Sequence, residues 1–406
     1  MSSGTERLYY TDSHLTEFEA RVTSVTESVS GWCAVTLDRT AFYPTGGGQP
    51  GDTGVLNSEP VVECMAEEDG DVLHVIQGRA PQVGALVKGR VDWERRQDHI
   101  QQHTGQHILS QAFVSLYGAE TRSFRMMDQA SEIDVALDDP TDERIDSAVE
   151  LANNVIWEDR PVCVRVVTPE EAARLPLRKD SARAGELRII EIENFDLSPC
   201  GGTHARRTGE VGLIAVRSWE RAKGLLRIEF VAGRRALADY GRANGTARRV
   251  AALFSVARDE APAGVARLLE ENKQLGRRIR TLEEEAARAE GEEFVRNADQ
   301  RDDGLRIIAR TFDLRDADQL KHLALAIIAH PQTIALLGSR DRETARLVFA
   351  RSADAPGDMS ALMRSACEML DGRGGGRPDM AQGGGRHVER LQEAIEAAAA
   401  SLSIDQ

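Results

Sequence analysis

Two short motifs, His103-Thr-Gly-Gln-His107 and Cys200-Gly-Gly-Thr-His204, determine how this chain must fold. Residues four apart on a helix share one face, so the first motif can present two imidazoles side by side. In the second motif, small residues let a cysteine and a histidine bend round as two further donors. Imidazole nitrogen and thiolate sulfur are the donors that tetrahedral zinc prefers. We therefore predict a zinc site made by His103, His107, Cys200 and His204.

The four donors leave the coordination of the metal open. A zincin protease carries Glu directly after the first histidine as its general base, and here Thr104 takes that position. Zinc with four protein ligands is normally structural, whereas a catalytic ion keeps one position open. Three alternatives follow. One of the four residues does not bind the ion, or the ion takes more than four ligands, or the metal serves only to shape the pocket. We favour one displaceable ligand, which would admit water or a substrate amine.

On the N-terminal side of the histidine motif, alternating apolar and polar residues from about 15 to 91 indicate strands punctuated by Gly and Pro. The loop Gly46-Gly-Gly-Gln49 lacks the Lys-Ser/Thr ending of a P-loop, which argues against nucleotide binding. The loop is either a tight turn or a wall that brings backbone amides close to a small substrate. We predict a small β-barrel over residues 1–91.

From Trp93 the pattern becomes helical, with Ile100, His103 and His107 along one stripe and apolar core positions on the other side. Helix on sheet predicts an α+β zinc-binding domain over residues 92–240. Its further elements are expected as a helix at 142–157 and strands at 162–167, 187–192, 212–217 and 226–230.

The next segment, residues 241–300, is predicted to be a helical linker, and within it residues 265–290 have a heptad pattern typical of a coiled coil. Its seam is formed by Val265, Leu268, Asn272, Leu275, Ile279, Leu282, Ala286 and Ala289. The alternative is a solvated linker helix packed on its own domain. We favour a coiled coil over 265–290, which could join two chains as a homodimer.

Residues 301–406 are predicted to form a separate small α/β domain, which makes the whole chain an α+β multidomain protein. Its strands are expected at 305–309, 333–337 and 345–350, and its helices at 315–329, 359–370 and 387–402. Between the last two helices lies the glycine-rich segment 372–385. Its backbone N–H groups beside arginines suit phosphate oxygens.

The charge of the chain is unusual for a nucleic-acid binder, because the net charge of −15 over 406 residues is acidic. Only five of the 51 basic residues are lysines. Abundant acids with few lysines are typical of a protein from high salt, where charges are screened within about 3 Å. A halophilic source is therefore a hypothesis.

The chain shows no targeting or membrane signal. The first residues are polar, and the longest apolar run, at about 323–329, is too short to cross a bilayer. Five scattered cysteines argue against a disulfide framework. We expect a cytoplasmic protein with no membrane partner.

The two metal motifs, with Thr208-Gly-Glu-Val-Gly after the second and Tyr43-Pro-Thr-Gly-Gly-Gly-Gln-Pro-Gly-Asp before the first, resemble the editing domain of alanyl-tRNA synthetase. With no room for an aminoacylation domain upstream, the chain resembles the freestanding editing proteins of the AlaX group. The segment Gly374-Gly-Gly-Arg-Pro-Asp-Met-Ala-Gln resembles the DHHA1 module that ends alanyl-tRNA synthetases. Together these motifs cover nearly the whole chain, as in the long AlaX form.

This resemblance implies hydrolysis of the ester between a wrong amino acid, chiefly serine, and tRNA(Ala), with zinc on the four motif residues. Two positions depart from related patterns. The synthetase domain often has Gln about sixteen residues after the second histidine, where this chain reads 121–125 as Thr-Arg-Ser-Phe-Arg. Phosphoesterases that share DHHA1 carry Asp-His-His, and the nearest string here is Asp98-His-Ile, which argues against a nuclease.

We expect the glycine-rich loop to contact the substrate, through Thr45, Gly46, Gly47, Gly48 and Gln49. Thr45 or an amide of Gly46–Gly48 would read the serine hydroxyl, and Thr45 and Gln49 are also the candidates for catalysis, with the general base unassigned. Transfer RNA contacts are expected from a basic strand pair and from the C-terminal glycines, namely at Arg221, Lys223, Arg227, Gly374, Gly375, Gly376 and Arg377.

Two rival functions remain. A binding protein with a structural zinc, such as a tRNA chaperone, would have the same motifs without turnover. A phosphoesterase is suggested by the DHHA1 resemblance alone and would need an acidic two-metal cluster, for which the sequence offers no candidate.

Overall fold

The N-terminal alternation folds into a closed barrel of six strands, in the spatial order Glu17–Glu27 (β2), Trp32–Leu37 (β3), Val72–Gln77 (β7), Glu59–Ala66 (β6), Gly54–Leu56 (β5) and Leu86–Val91 (β8). The computed structural model describes residues 4–27, 32–68, 70–179 and 185–402. Val35, Phe42 and Ile76 fill the barrel and are fully buried. The strands of this region, including a short parallel pair β1 and β4, are β1 Glu6–Arg7, β2 Glu17–Glu27, β3 Trp32–Leu37, β4 Arg39–Thr40, β5 Gly54–Leu56, β6 Glu59–Ala66, β7 Val72–Gln77 and β8 Leu86–Val91.

A long helix, α1 (Trp93–Tyr117), follows the barrel directly and carries the first histidine motif. Its first turn is capped by the Asp92 side chain, which accepts hydrogen bonds from the next amides, and it ends at Gly118 in the left-handed region. The helix packs on the sheet β14-β15-β10-β9 and on α2. These elements are β9 Thr121–Met126, β10 Ser131–Val135, α2 Asp142–Trp157, β14 Ile214–Ala222 and β15 Leu225–Ala232.

A buried ion pair joins α1 to the barrel. Arg96 and Asp52 are both fully buried. The guanidinium of Arg96 also donates to the carbonyl oxygens of Ser13 (2.7 Å) and Ala41 (2.6 Å). A buried charge needs such complete pairing, so this network holds α1 firmly against the barrel.

A second, three-stranded sheet presents the cysteine motif. Its order is β11-β12-β13, and the loop that contains Cys200 and His204 leaves the end of β13. The elements are β11 Val162–Val167, the short helix α3 Pro169–Ala172, β12 Leu187–Ile192 and β13 Asp196–Pro199.

Two compact units are present, Met1–Val250 and Ala251–Gln406. The helix α4 (Gly233–Leu253) starts directly after β15. The helix α5 (Ala261–Asn297) covers the heptad segment, and its seam residues Leu275 and Ile279 are more than half exposed.

The second unit is built on a five-stranded sheet in the order β16-β17-β18-β20-β19, in which β16 and β17 are parallel and the other pairs antiparallel. The helix α6 covers one face of the sheet, and α7 and α8 cover the other. The elements are β16 Arg306–Asp313, α6 Ala317–Ile328, β17 Thr333–Arg340, β18 Ala345–Arg351, α7 Met359–Met369, β19 Gly372–Gly376, β20 Met380–Gly385 and α8 Leu391–Ser401.

The glycine-rich segment is a β-hairpin rather than an irregular loop, with Gly374 opposite Gly383. A Cβ on Gly374 would lie 2.7 Å from the Cys367 sulfur, and one on Gly383 only 2.5 Å from it. These glycines therefore let the hairpin lie directly under α7.

The predicted barrel and the mixed α+β multidomain architecture are confirmed. Pairing of the heptad helix with a second chain stays a prediction. Within the described residues, every helix is too short or too polar to cross a membrane.

Candidate metal centre

The four predicted ligands converge. One ligand atom each from His103, His107, Cys200 and His204 lies within 4.8 Å of the others. The Nε2 atoms of His103 and His204 are each 3.3 Å from the Cys200 sulfur. All three histidines are nearly fully buried. Side chains from a helix and from a distant loop thus form one compact donor cluster.

Glycine is required in the cysteine loop for this convergence. A Cβ on Gly202 would lie 2.2 Å from the Cε1 atom of His103. Arg188 fixes the same loop by donating from Nη1 to the carbonyl oxygens of Cys200 (2.7 Å) and Gly202 (3.0 Å). The loop is therefore held close to the histidines by packing and by hydrogen bonds.

Each imidazole is oriented by a partner on its Nδ1 atom. Nδ1 of His103 lies 2.7 Å from Oε1 of Gln49, and Nδ1 of His107 lies 3.0 Å from a carboxylate oxygen of Asp196. Nδ1 of His204 is 3.3 Å from the Thr104 hydroxyl. Because the Nδ1 atoms are engaged, the Nε2 atoms remain for a metal, which is the arrangement that protein metal sites use.

Asp196 links His107 to a cation. Arg178 donates from Nε to Asp196 (2.7 Å), whose side chain is fully buried. Burial alone would raise the pKa of Asp196, but the hydrogen bond with His107 and the positive charge of Arg178 hold that pKa well below its ordinary value. The carboxylate therefore stays ionised and keeps accepting from His107.

The thiol of Cys200 is set up as a thiolate. Burial would raise its pKa, yet the neighbouring His103 and His204 lower the pKa well below that of a free cysteine. The thiolate is the form of cysteine that binds metal. Three imidazole nitrogens and one thiolate match the donor set of zinc.

The glycine-rich loop is a two-residue hairpin turn beside this cluster. Gly46 and Gln49 exchange two backbone hydrogen bonds of 3.0 Å, and Gly47 and Gly48 have φ values of 57° and 81°. Positive φ at both central positions favours glycine. Within the described residues the amides of Gly47 and Gly48 have no hydrogen-bond partner, whereas the Gly46 amide is used in the turn.

Thr45 and Gln49 differ in exposure. Gln49 is 1% exposed, and besides His103 it contacts the Thr203 hydroxyl, to which its Nε2 donates (2.9 Å). Thr45 is exposed, and its hydroxyl oxygen accepts from the Gly51 amide (2.9 Å). The hydroxyl hydrogen of Thr45 is therefore available to a ligand.

The residues expected to contact tRNA lie on other elements than the four predicted ligands. Arg227 is paired with Asp134 through two contacts of 2.8 and 3.2 Å, and Arg221 is 4.0 Å from Asp139. Lys223 is exposed at the turn between β14 and β15. The glycines Gly374, Gly375 and Gly376 form the edge strand β19.

Arg377 occupies the turn after β19 and pairs with Asp379 at 3.2 Å.

The sequence analysis did not identify Asp196, Arg178 or Arg188 as residues of the site. In the sequence, Asp196 and Arg178 lie among ordinary polar residues. Their role follows only from their position next to the metal motifs in the folded chain.

Comparison with known proteins places the chain among tRNA synthetase-related families. Residues 187–229 match the family model of the threonyl and alanyl tRNA synthetase second additional domain, and residues 305–403 match the DHHA1 domain. Residues 3–95 match the model of class II (A) tRNA synthetases.

Full-length relatives agree with these matches. The chain is 33% identical over 409 residues to the alanyl-tRNA editing protein AlaX-L of Pyrococcus horikoshii, covering 96% of both chains. It is 34% identical over 417 residues to the alanine–tRNA ligase of Pyrobaculum neutrophilum, covering 98% of this chain and 44% of the ligase. The alanine–tRNA ligase of Natronomonas pharaonis is 34% identical to this chain over 410 residues, which cover 97% of this chain and 43% of the ligase.

The chain therefore matches the editing protein over nearly its whole length but spans less than half of the ligases. A solved structure of the C-Ala domain of Aquifex aeolicus alanyl-tRNA synthetase also aligns, at 24% identity over 24% of this chain and 92% of that domain, with a TM-score of 0.24. On the editing-protein match, together with the metal motifs and the C-terminal domain, this chain belongs to the AlaX family of alanyl-tRNA editing proteins.

Proposed function

We propose that this protein is a trans-acting hydrolase that removes a wrong amino acid, chiefly serine, from tRNA(Ala), using zinc held by His103, His107, Cys200 and His204. The observation that carries the proposal is the convergence of these four donors within 4.8 Å. The family relationship to AlaX-L supports the editing role.

The donor set suits zinc. Partners on the Nδ1 atoms orient the three imidazoles, so that their Nε2 atoms and the Cys200 thiolate remain as metal donors. When bound, zinc would supply a Lewis acid next to the ester. Gln49, Asp196 and Thr104 would keep the imidazoles in place, and Arg188 would hold the cysteine loop. The aminoacyl ester is already an activated bond, so positioning is most of what the protein must contribute.

Selection for serine would depend on its hydroxyl. The exposed Thr45 hydroxyl and the amides of Gly47 and Gly48, which have no hydrogen-bond partner within the described residues, are donors in the loop whose Gln49 contacts His103. Serine would satisfy such a donor, whereas alanine would leave it without a partner, which strongly disfavours the correct ester. We assign substrate contact to Thr45 and the amides of Gly46–Gly48, of which those of Gly47 and Gly48 are free, and a positioning role to Gln49.

Binding of tRNA is assigned to Arg221, Lys223 and Arg227 and to the hairpin segment Gly374–Arg377. Arg227 would have to exchange its contact with Asp134 for a phosphate. The parts would be a barrel (1–91), a zinc-binding editing domain (92–240), a helical linker (241–300) and a DHHA1-type domain (301–406). The 265–290 stripe of α5 would join two copies.

One observation favours a second function. Four protein donors can close the coordination of a metal, as in structural zinc sites. A non-catalytic tRNA-binding protein would then have the same cluster. A phosphoesterase is less well supported, because it would need an acidic two-metal cluster. Within the described residues, the group found that could hold a metal is the His-Cys cluster.

The test is to incubate the protein with Ser-, Gly- and Ala-charged tRNA(Ala), with and without a zinc chelator. Rapid loss of serine, slow loss of alanine and inhibition by chelator are expected. His107→Ala should abolish deacylation while tRNA affinity stays, and His387→Ala, an exposed histidine of the second unit, serves as the control. Binding of tRNA without any turnover by the wild-type protein would favour the structural-zinc alternative.

A further inference from the structure

The helix α4 carries positive charge in an acidic protein. Its sequence contains five arginines and a single acid, Asp239, whereas the chain as a whole has a net charge of −15. Asp239 is already neutralised twice, by Arg217 of β14 (3.2 Å) and by Arg242 (2.9 Å). The charge that α4 presents to solvent is therefore positive.

The five arginines of α4 differ in their partners. Arg234 is exposed and pairs with Glu94 of α1 (3.3 Å), and Arg242 pairs with Asp239 (2.9 Å). Arg235 is a structural residue, because it is mostly buried and pairs with Asp98 of α1. Arg248 and Arg249 are exposed and have no acidic partner within the described part of the chain; Arg249 donates only to the Thr246 hydroxyl. Free surface arginines of this kind suit phosphate oxygens, which they bind through charge and hydrogen bonds.

One ridge of α4 unites these charges with small residues. At alternating steps of four and three it runs through Arg234, Ala238, Gly241, Gly245 and Arg248. Residues at these steps share one helix face. The ridge is about 21 Å long, which is enough to face several consecutive phosphates.

Within the described residues, no neighbouring atom requires glycine at the two glycine positions of the ridge. A Cβ at Gly241 or Gly245 would meet nothing within 4 Å, and neither residue has a positive φ. Alanine would fit both positions and would favour the helix by about 1 kcal/mol at each. Glycine at these positions would allow a partner to approach the helix backbone closely.

Hydrogen bonds connect the start of α4 to α1, the helix that carries His103 and His107. The Arg234 amide donates to Oε1 of Gln101 (3.1 Å), and the preceding Ala232 amide donates to Oε1 of Gln102 (2.9 Å). Gln102 directly precedes the ligand His103. A polyanion that lies along α4 would therefore meet the unit that contains the donor cluster.

We propose that this α4 ridge, with Arg242 and Arg249 beside it, binds the phosphate backbone of the tRNA. The inference rests on the proposed function, since tRNA is the polyanion that such a hydrolase must hold. It adds a tRNA contact on α4, a helix separate from the β14–β15 hairpin and from the C-terminal glycines to which tRNA binding is already assigned.

The test compares Arg248→Gln/Arg249→Gln with Arg79→Gln/Arg90→Gln. The control pair removes the same charge from exposed barrel arginines that also lack an acidic partner within the described residues. Affinity for uncharged tRNA(Ala) is measured between 50 and 200 mM KCl, values chosen because phosphate contacts are salt-dependent over about this range. We expect about tenfold weaker binding by the α4 variant and a salt slope smaller by about 1 to 2. KM for seryl-tRNA should rise with little change in kcat, and Arg248→Lys/Arg249→Lys should restore most of the affinity.

A second variant separates binding from folding. Gly241→Gln/Gly245→Gln should raise the thermal stability of the protein, because the helix improves, and should lower tRNA affinity, because the ridge becomes bulkier. A purely structural role for the ridge would not produce these opposite effects.

Three results have distinct meanings. If the wild-type protein binds tRNA without deacylating it, the proposed function fails and the ridge is still tested by the binding assay. If the wild-type protein deacylates and the α4 variant binds like its control, the ridge is refuted. A change in molecular mass with unchanged tRNA affinity would also refute it, because the face would then join two copies of the chain.

Discussion

Gln49 has a position in the structure that its sequence context does not suggest. It ends a glycine-rich loop that we expected to face the substrate, yet it is buried between His103 and Thr203. A side chain in this place orients a metal ligand. The residue could be identified from the sequence, but its partner could not, because His103 is far away along the chain.

Replacing Gln49 should weaken metal binding. Gln49→Leu removes the side-chain hydrogen bonds to His103 and Thr203 while it nearly keeps the volume, so we expect about a 10- to 100-fold loss of zinc affinity, as for other partners of metal-bound histidines. Competition with a chromophoric chelator measures this. Thr45→Val should leave zinc affinity unchanged and reduce the rate with seryl-tRNA; equal zinc affinities for wild type and Gln49→Leu would contradict the role.

His74 predicts how stability depends on pH. It is fully buried in the barrel, where Nδ1 donates to the Val35 carbonyl (3.0 Å) and Nε2 accepts from the Thr40 hydroxyl (2.8 Å). Burial lowers its pKa from 6.5 to about 4. The unfolded chain therefore binds a proton between these values and the folded chain does not, so the free energy of unfolding falls as the pH drops from about 6.5 towards 4.

Between pH 7 and pH 5 this histidine should account for about 2 kcal/mol of lost stability. Urea unfolding of the wild type and of His74→Gln at both pH values measures the difference. The variant is less stable at pH 7 but should lose less on acidification. Parallel losses in both proteins would show that His74 is not the group that titrates.

At the residue scale, the ligands were predictable and their supports were not. His103 and His107 are four apart, and Cys200 and His204 are four apart, so local spacing reveals them. Asp196 orients His107 of α1 from the strand β13, and no local sequence pattern indicates a contact made by tertiary packing.

The β19–β20 hairpin shows that two neighbouring glycines can have different roles. Gly374 faces α7, where a Cβ would lie 2.7 Å from the Cys367 sulfur, whereas a Cβ on Gly375 would meet nothing within 4 Å. The first glycine is needed for packing. The second is free to serve the surface that we assign to tRNA.

Alanine substitutions separate these two roles. Gly374→Ala should destabilise the protein by about 1 to 3 kcal/mol through overpacking against α7. Gly375→Ala should change the free energy of unfolding by less than about 1 kcal/mol. Thermal or urea unfolding of both variants provides the measurement, and equal destabilisation would show that the helix does not approach Gly374 closely.

Element boundaries were predictable where burial is regular. The helix α2 and the strands β11 and β12 occupy the predicted ranges, because Thr141 caps the start of the helix and apolar residues mark both ends of the two strands. The strand β14 extends to Ala222, beyond the predicted 217, because its second half is a largely exposed edge strand. Pairing with β15 determines its length, and hydrophobic alternation does not report such pairing.

At the scale of the molecule, α5 bears on the number of chains. Three residues of its apolar stripe, Leu275, Ile279 and Leu282, are between 54% and 59% exposed. If two copies pair through it, Ile279→Glu should halve the mass measured by light scattering. Thr281→Glu, an exposed change on the same helix, should leave the mass of the pair intact, and a monomeric wild-type protein would end the proposal.

The architecture as a whole could be predicted in kind but not in its connections. Alternation indicated the barrel, and periodicity indicated the helices. The contact between barrel and α1 could not be foreseen, because Arg96 reads as one more surface arginine in an arginine-rich chain.

The ion pair of Arg96 and Asp52 has a practical consequence for anyone who wishes to shorten this protein. A fragment that begins at α1 would retain the arginine and lose its carboxylate together with the carbonyls of Ser13 and Ala41. Such a fragment would also expose to water the face of α1 that the barrel covers, and it would lose Gln49, whose Oε1 lies 2.7 Å from Nδ1 of His103. A truncated version should therefore retain the first ninety or so residues, even though the histidines and the cysteine that define its chemistry all come later.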